Sequence, residues 1–557
     1  IGVTALFNTV WACWADNRTG IYQGYVARAT FQTLPMPATN WENIRTLSIS
    51  GGTTAYSDGY GQHLVGKFGT NTVKHYLLDN NGNVMFSAPF PGLSGGDSSS
   101  VTSYGGRVSV VVDVGDVLKL YQSANGGESW GFTSEAPVGV TINRLDAYAD
   151  QWGVHIVWDN TLSDKVYYVR YRSESNDWFG FKHVTDLGGN GLTPKVVTSV
   201  NKAHVGFKGY SSSGGRSRDL YLPTEQWDNF YRDVPRPMNA GPAVTQSISL
   251  AGDVLHMVFL TDIVYPGTGA VFSSKRDING SWLAPVYVGT GRTYWESGNY
   301  RRKVATTAAT TYTTYLDPNN GILVHAYNQQ CGWSGFFQAE GFTGTNEQRY
   351  PMVSVSKTGI YVFWNGTYPT SHQHMRRRWV AMQGNISENS FWTGDNWVSG
   401  DLSIQAGVQV RLKPGSVTYI SDNAHLIVQS GATMVMEPGS QLKFGIGASL
   451  VCYGQLFAVG TATTQVTFTS TSPSGTWSGI VLSGSGANGS VLQYATVERV
   501  LTYGGAAVSI LGAYAVHVEH CMLSNNDASN GTNGIYLGAG SFAYISNNAI
   551  SGHGGSG

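Results

Sequence analysis

The sequence contains little charge and no long apolar run. Only 12% of its 557 residues are Asp, Glu, Lys or Arg, and the formal net charge is −1 at pH 7. Proteins that bind nucleic acid or anionic membranes concentrate positive charge, so this composition argues against both kinds of partner. No apolar stretch approaches the roughly 18 residues needed to span a bilayer, so no membrane span is expected.

Cysteine is also scarce. Cys13, Cys331, Cys452 and Cys521 form no CxxC pair and no metal-ligand spacing, which excludes a zinc site and a dense disulfide framework. Cys13 and Cys331 could pair if their sheets are neighbours, but four small buried side chains are the simpler interpretation. We expect no metal and no cofactor; a structural calcium ion is compatible with the sequence, but no motif indicates one.

Short apolar segments recur along the first two thirds of the chain. Residues 154–159 and 166–170 flank a polar turn, which is the pattern of an antiparallel hairpin. Counting this segment, eight related segments are centred near residues 12, 65, 110, 156, 205, 257, 324 and 362. One small sheet every 40 to 65 residues or so predicts a β-propeller. Since the first and last segments could share one blade, seven and eight blades are both expected.

One turn within these repeats has a distinctive sequence. Ser123, Asn125, Gly127 and Trp130 follow the pattern S-x-D-x-G-x-x-W, with Asn in place of Asp. The segment resembles the Asp-box of bacterial neuraminidase-repeat, sialidase-like propellers, and weaker versions stand at 173–178 and 276–282. The resemblance covers residues 1–380. It implies a propeller in which such turns are structural and carry no chemistry, because the polar side chain caps the turn, Gly adopts a left-handed conformation and Trp packs between sheets.

A different pattern begins near residue 384. Apolar runs of three to five residues, such as 426–428 and 433–436, alternate with short Gly-containing turns, too closely spaced for ordinary hairpins. They predict the coils of a parallel β-helix. Residues 400–557 resemble right-handed parallel β-helix modules of secreted bacterial surface proteins, which are related in fold to pectate lyases. Asn525 and Asn547 are expected in stacked turns.

The predicted architecture is therefore all-β. It has a seven- or eight-bladed propeller over residues 1–384, a connector over 385–396 and a right-handed parallel β-helix over 397–557. The last coil is followed by a Gly-rich turn without a capping element, and uncovered strand edges pair readily with other chains. We therefore expect either further sequence beyond Gly557 or docking of the open end on another subunit.

Histidines and arginines are the candidate site residues. His155, His204 and His256 occupy equivalent repeat positions, which favours a packing or hydrogen-bonding role over a metal site. Two basic triplets could bind an anionic sugar through guanidinium groups, and the members proposed as ligands are Arg301, Arg302 and Arg377. Because strand residues alternate sides, only part of each triplet can point the same way, and a solvated basic patch is the favoured alternative. For a propeller-type polysaccharide lyase, the candidates for the base and the carboxylate-neutralising group are Tyr300, His372 and Arg376.

Two functions remain open from the sequence. The first is a secreted or cell-surface structural or adhesive protein, with the propeller as a binding face and the β-helix as a stalk or a subunit of an extracellular fibre or sheath. Its expected partners are a polysaccharide or other surface glycan and a second copy at the open β-helix end. The alternative is a carbohydrate-active enzyme, a sialidase-like glycoside hydrolase or a polysaccharide lyase, with its site at the propeller centre. We favour the first, because no catalytic constellation stands out.

Overall fold

A computed structural model defines the fold, and the chain divides into two compact units. One unit is Glu42–Arg377; the other contains Ile1–Trp41 and Arg378–Gly557. The described residues are 2–6, 9–16, 23–30, 45–47, 53–67, 72–80, 82–160, 162–185, 191–209, 215–235, 243–251, 253–262, 268–292, 304–306, 310–316, 322–328, 332–333, 337–340, 347–356, 359–367, 373–379, 381–472, 474–502, 505–526 and 531–553.

The first strands of the chain form a small sheet of their own. Strands β1 (Gly2–Leu6), β2 (Thr9–Asp16) and β3 (Gln23–Thr30) pair antiparallel with one another. Strand β4 (Arg45–Leu47) follows and pairs elsewhere. The repeat near residue 12 therefore lies in a separate sheet and contributes no blade of its own.

Six antiparallel sheets of four or five strands follow in sequence and form six blades of a β-propeller. Within a blade, each strand pairs with the next one along the chain, apart from the short fifth strands of blades 4 and 6, which pair with the third strand. Blade 1 contains β5 (Thr53–Ser57), β6 (Gln62–Lys67), β7 (Val73–Leu78) and β8 (Val84–Pro89); blade 2 contains β9 (Ser99–Tyr104), β10 (Arg107–Asp113), β11 (Val117–Ser123) and β12 (Gly131–Pro137); blade 3 contains β13 (Arg144–Asp150), β14 (Gly153–Asn160), β15 (Lys165–Arg172) and β16 (Asp177–His183); blade 4 contains β17 (Gly191–Ser199), β18 (Lys202–Gly209), β19 (Gly215–Tyr221), β20 (Gln226–Trp227) and β21 (Arg232–Val234); blade 5 contains β22 (Ala243–Ala251), β23 (Val254–Asp262), β24 (Thr268–Asp277) and β25 (Val286–Arg292); blade 6 contains β26 (Val304–Thr306), β27 (Thr310–Leu316), β28 (Ile322–Asn328), β29 (Gly332–Trp333) and β30 (Phe337–Glu340).

The last sheet of this unit uses strands from both ends of the propeller sequence. Strands β31 (Glu347–Ser356), β32 (Gly359–Thr367) and β33 (Gln373–Trp379) are completed by β4, which pairs antiparallel with β33. We call this four-stranded sheet the closing sheet. Six blades of consecutive strands are fewer than the seven or eight predicted, because the first repeat lies outside the ring and the last is completed by a distant strand.

The first strand of each sheet is innermost. Each first strand contacts the first strand of the next sheet, and β31 contacts both β26 and β5, which closes the ring. The apolar repeats seen in the sequence are the second strands, not the innermost ones. In blade 3, for example, every residue of β14 is buried, because that strand is covered on both faces and paired on both edges.

The second unit contains a parallel β-solenoid. Its coils carry three faces of short strands, and a strand pairs in parallel with its equivalents in the coils before and after it. The strands are β34 (Met382–Ile386), β35 (Ser390–Trp392), β36 (Asp395–Ile404), β37 (Gln409–Leu412), β38 (Val417–Ile420), β39 (His425–Val428), β40 (Thr433–Met436), β41 (Gln441–Phe444), β42 (Ser449–Cys452), β43 (Gln455–Val459), β44 (Val466–Ser470), β45 (Ile480–Ser483), β46 (Val491–Gln493), β47 (Ala495–Glu498), β48 (Ala506–Leu511), β49 (Val516–Glu519), β50 (Met522–Ser524), β51 (Asn533–Leu537), β52 (Ala543–Ser546) and β53 (Ala549–Ser551), with one 3₁₀ turn at Ser485–Ala487.

Alternation of buried and outward residues produces the solenoid core. In β39, β40 and β41 every second residue is fully buried, as a four-residue strand with one face inward requires. The segment 385–396, predicted as a connector, contributes β35 and parts of β34 and β36, all paired with solenoid strands. Cys452 and Cys521 are buried free thiols; the side chains of Cys13 and Cys331 lie outside the described residues.

Asparagines connect successive coils, as expected from the sequence. Asn525 and Asn547 have positive φ angles of 53° and 57°. The side chains of the residues that follow them, Asn526 and Asn548, each bond to the backbone of the preceding coil. These amides satisfy backbone groups that the turns leave without a strand partner. Asn525 and Asn547 are thus turn residues, as predicted, but Asn525 follows β50 and Asn547 precedes β53, so they lie at different corners of the coil and do not stack on each other.

Candidate functional site

Most ligand and catalytic candidates from the sequence fall where side chains are not described. Arg376 and Arg377 lie on β33, of which only the backbone is described at these positions. The remaining candidates lie outside the described residues: Tyr300, Arg301, Arg302 and His372. Their roles therefore stay predictions.

The turn after β11 holds itself together through the residues singled out in the sequence. Ser123 Oγ accepts from the backbone N–H of Gly127 at 2.8 Å and donates to Asn125 Oδ1 at 2.8 Å. Asn125 Oδ1 also accepts from the backbone N–H of Ser129 at 3.1 Å. Trp130 is buried, and its ring meets Phe90 edge-on at 5.0 Å. These groups fix a hairpin turn.

Three of the repeated histidines are buried and bonded through both ring nitrogens. His155 bonds to Tyr168 Oη at 2.7 Å and to Asp150 Oδ1 at 2.9 Å. His204 bonds to Asp219 at 2.9 Å and to Ser199 at 3.0 Å. His63 does the same with His75 and Asp58, both at 2.9 Å. In each case one partner lies at or just after the end of the first strand and the other lies on the third strand. His155 and His204 therefore have the predicted hydrogen-bonding role, whereas His256 packs against the Tyr327 ring at 5.2 Å.

Asp219 is the centre of the largest buried charge cluster among the described residues. Its carboxylate lies 2.6 Å from Arg276, 3.1 Å from Arg232 and 2.9 Å from His204. Burial alone would raise the pKa of Asp219, but the hydrogen bond with His204 and the nearby charges of Arg276 and Arg232 lower it to about 2. The carboxylate is therefore ionised at neutral pH and tied to groups that are themselves buried, so it holds blades 4 and 5 together.

A second group of charges lies at one end of the propeller. We call this the first-strand end, because first strands begin there and second strands finish there. Lys67 Nζ donates to Asp97 Oδ1 at 2.8 Å. Burial and then the Asp97 charge raise the pKa of Asp113 to about 6, and Asp113 Oδ1 has no hydrogen-bond partner within the described part of the chain. A carboxyl with such a pKa can donate a proton near neutral pH.

The next two blades add four more charged groups at this end. Arg144 lies 3.3 Å from Asp159, and Lys195 lies 3.8 Å from Asp146. Burial raises the pKa of Asp159 even though Arg144 opposes the shift. Thr193 donates its backbone N–H to Asp159 at 2.7 Å and has a φ of +52°. This conformation is unusual for a β-branched residue and coincides with a β-bulge in β17.

Further along the first strands, a cavity of about 110 Å³ lies among the inner strands. Its described lining includes Tyr56, Tyr148, Ser249, Thr306 and Ser354, together with aliphatic residues and no charged side chain. Ligand pockets usually enclose roughly 300–1,000 Å³, so the cavity suits a few water molecules better than a sugar ring. The chemistry-bearing groups are thus at the first-strand end and not in this cavity.

Sequence analysis did not identify the charged groups at the first-strand end. Asp113 and Asp159 each stand at the end of an apolar second strand in successive blades. This recurrence of an aspartate at the end of a second strand is visible in the sequence and could have identified these residues. Their partners Asp97 and Arg144 come from different connections, and only the strand pairing brings them close.

Comparisons with known proteins give a likeness in fold. No protein-family profile and no curated protein matches the chain. One similar solved structure is that of the polysaccharide lyase Uly1, with 11% identity, coverage of 62% of this chain and 93% of that chain, and a TM-score of 0.41. The SapL1 lectin in complex with alpha methyl fucoside has 11% identity, coverage of 54% of this chain and 98% of that chain, and a TM-score of 0.33. A subtype N10 neuraminidase-like protein of a little yellow-shouldered bat isolate has 10% identity, coverage of 61% of this chain and 98% of that chain, and a TM-score of 0.35. No helix among the described residues has the length and hydrophobicity required to cross a bilayer.

Proposed function

We propose that the protein is a secreted or cell-surface adhesive protein without catalytic activity, in which the propeller binds a glycan and the solenoid is a rigid stalk. The observation that carries this proposal is the use of ionisable side chains in the blades. His63, His155 and His204 are buried and each bonds to an aspartate, and Asp219 also pairs with Arg276. Buried groups that already bond to each other stabilise the fold, and a protein that only presents a binding surface needs no cofactor.

The solenoid supports the stalk function through its continuous core. Inward residues of one face form an unbroken column from coil to coil: Leu412, Met436, Ala458, Leu492 and Val518, all fully buried. A rod whose coils share one core bends only if many contacts break together. We include in the same proposal the right-handed sense of the solenoid and self-association through its end.

Two details of the propeller belong to this proposal. The closing sheet would serve as a seventh blade, since β31 contacts the first strands on both sides of it. The Ser123–Trp130 turn would be a degenerate Asp-box, supported by the serine and asparagine bonds within it.

The propeller would bind an anionic glycan through Arg301, Arg302 and Arg377, the ligand residues predicted from the sequence. The test measures binding of the purified chain to immobilised sialylated glycans, alginate and polygalacturonate, together with sugar release. We expect binding without turnover, and loss of binding in the triple Arg→Ala variant, because each charge-assisted hydrogen bond contributes about 1.5–3 kcal/mol. Arg172→Ala is the matched control, since this surface arginine pairs with Asp177. Absence of binding would contradict the proposal.

A carbohydrate-active enzyme is the second candidate, and the raised pKa of Asp113 is the observation that favours it. If Asp113 is a general acid, turnover of a glycan should fall as pH rises through about 6 and vanish in Asp113→Asn. Asp97→Asn should move that limb to lower pH, because the Asp97 charge helps to raise the pKa of Asp113. Turnover with this pattern would replace the adhesive proposal.

A further inference from the structure

An exposed group of aromatic and polar side chains lies on the outer side of one solenoid face. We call it the flank patch, and it consists of Gln493, His517, Glu519, Phe542 and Tyr544. Strands β46, β49 and β52 are parallel neighbours, so Gln493 lies beside Glu519 and His517 lies beside Tyr544. The intervening residues of β46 and β49 are buried in the core, so the patch residues on these strands point outward.

The rings of the flank patch are in contact with each other and exposed to solvent. The His517 and Tyr544 rings stack at 4.6 Å with an interplanar angle of 23°. Phe542 meets Tyr544 edge-on at 4.9 Å. Phe542 and Tyr544 are each 48% exposed. An exposed cluster of aromatic rings is a mark of an interaction site.

Polar groups border these rings in a fixed arrangement. His517 Nδ1 lies 3.0 Å from Glu519 Oε1, and Gln493 Nε2 donates to Glu519 Oε2 at 3.4 Å. The His517 and Glu519 side chains are 38% and 26% exposed. His517 Nε2 makes no hydrogen bond to any described residue, so it is available to a ligand. Glu519, His517 and Gln493 therefore offer a carboxylate, an imidazole nitrogen and an amide beside an aromatic surface.

We propose that the flank patch binds a neutral, hydroxyl-rich saccharide. A sugar ring has an apolar C–H face that can pack on Tyr544 and Phe542, and hydroxyl groups that can bond to Glu519, His517 and Gln493. The charge of the patch favours neutral polymers over anionic ones, because the patch contains one carboxylate and no Lys or Arg. Uronates, sialylated glycans and nucleic acids would be repelled. The site consists of solenoid residues alone, and this inference does not rest on the function proposed above.

Affinity electrophoresis of the full chain tests the proposal. Native gels would contain laminarin, dextran, galactomannan or hydroxyethyl cellulose as neutral probes, and polygalacturonate as an anionic probe. We expect retardation by at least one neutral polymer. Tyr544→Ala should weaken that binding by about tenfold, as loss of a stacking contact does, whereas Tyr544→Phe should retain most of it. Tyr453→Ala is the matched control, because Tyr453 is similarly exposed but lies in the turn after β42, outside the flank patch.

Three outcomes would overturn the proposal. The first is no retardation of the wild-type chain by any neutral polymer. The second is equal retardation of the wild-type and Tyr544→Ala proteins when both have the same melting temperature. The third is a change of sedimentation coefficient in Tyr544→Ala without a change in retardation, which would make the flank patch a self-association surface. Binding to anionic polymers tests the propeller arginines separately, so the two proposals can fail independently.

Discussion

Replacing Trp158 with alanine tests the packing between blades 2 and 3. Trp158 is fully buried, as its place in an apolar strand predicts. Its ring stacks on Tyr167 at 5.5 Å and lies 5.6 Å from Phe181. The same cluster contains Val111, Leu118 and Leu120 of the neighbouring blade. Truncation would therefore open a cavity across a blade interface.

The expected loss of stability follows from burial and packing alone. Truncating a buried large aromatic residue to alanine costs about 3–5 kcal/mol, of which the stacking contact supplies about 0.5–1.5 kcal/mol. Trp158 Nε1 has no hydrogen-bond partner among the described residues, so no polar interaction is lost. Trp158→Phe should consequently cost less, on the order of 1–2 kcal/mol, since it keeps a ring and removes an unpaired donor.

Guanidinium titration with near-ultraviolet circular dichroism as the probe measures the effect. The chain has two units, so the transition that reports propeller aromatics must be analysed separately. Leu162→Ala is the control, because Leu162 is 88% exposed in the same hairpin and should change stability by less than about 0.5 kcal/mol. If Trp158→Ala were no more destabilised than this control, the blade register described here would be refuted.

Three further measurements probe a buried charge, a buried histidine and a close backbone contact. Asp219→Asn removes the buried counter-charge of the Arg276 guanidinium, which lies 2.6 Å from the Asp219 carboxylate. In denaturant titration the free energy of unfolding should fall by about 3–5 kcal/mol. A loss below about 1 kcal/mol would show that the pair is dispensable. Burial lowers the pKa of His256 from 6.5 to about 4. The stability that depends on neutral His256 is therefore complete above pH 6.5 and is lost as pH falls towards 4, by up to about 3 kcal/mol. If the free energy of unfolding of His256→Leu depended on acid pH in the same way as that of the wild type, this explanation would be contradicted. Gly153 has a φ of +123°, and an added Cβ would lie 2.0 Å from a carbonyl oxygen of the next strand, so Gly153→Ala should reduce the melting temperature by several degrees or more, and an unchanged value would disprove the close contact.

The sequence predicts the propeller because second strands leave a strong signal. A second strand is paired on both edges and covered on both faces, so it becomes a continuous apolar run, as in β14. First strands carry Ser100 and Thr102 among their buried residues, and these bond to the backbone of the next blade at 3.0 and 2.9 Å. Such mixed segments have no regular period, which is why the innermost strands could not be distinguished from the sequence.

The number of blades could not be predicted because the closing contact is not local. Strand β4 has only three residues, and its pairing partner Gln373–Met375 lies more than 300 positions later. A segment of that length has no detectable periodicity. The first repeat made the predicted number of blades too high, because β2 has the composition of a blade strand but pairs in a different sheet.

The candidate sites differ in how far the sequence could reveal them. The flank patch follows from the solenoid period, since His517 and Tyr544 are separated by one coil of 27 residues and so must be neighbours. The period does not reveal that these positions are exposed or that Glu519 bonds to His517. At the first-strand end even the neighbours are hidden, because Asp97 and Asp113 meet through pairing of a loop with a strand end.

The two units satisfy their polar groups in different ways, and this difference directs where ligands can act. In the blades, buried histidines, aspartates and arginines bond to each other, so a ligand that engaged them would have to replace existing bonds. In the solenoid, the parallel ladders and the Asn526 and Asn548 amides satisfy the backbone, and outward side chains such as His517 keep bonding capacity. A ligand gains most where protein groups are exposed, oriented and not yet paired. The flank patch meets these conditions at the exposed Phe542 and Tyr544 rings and at His517 Nε2, which makes no hydrogen bond to a described residue.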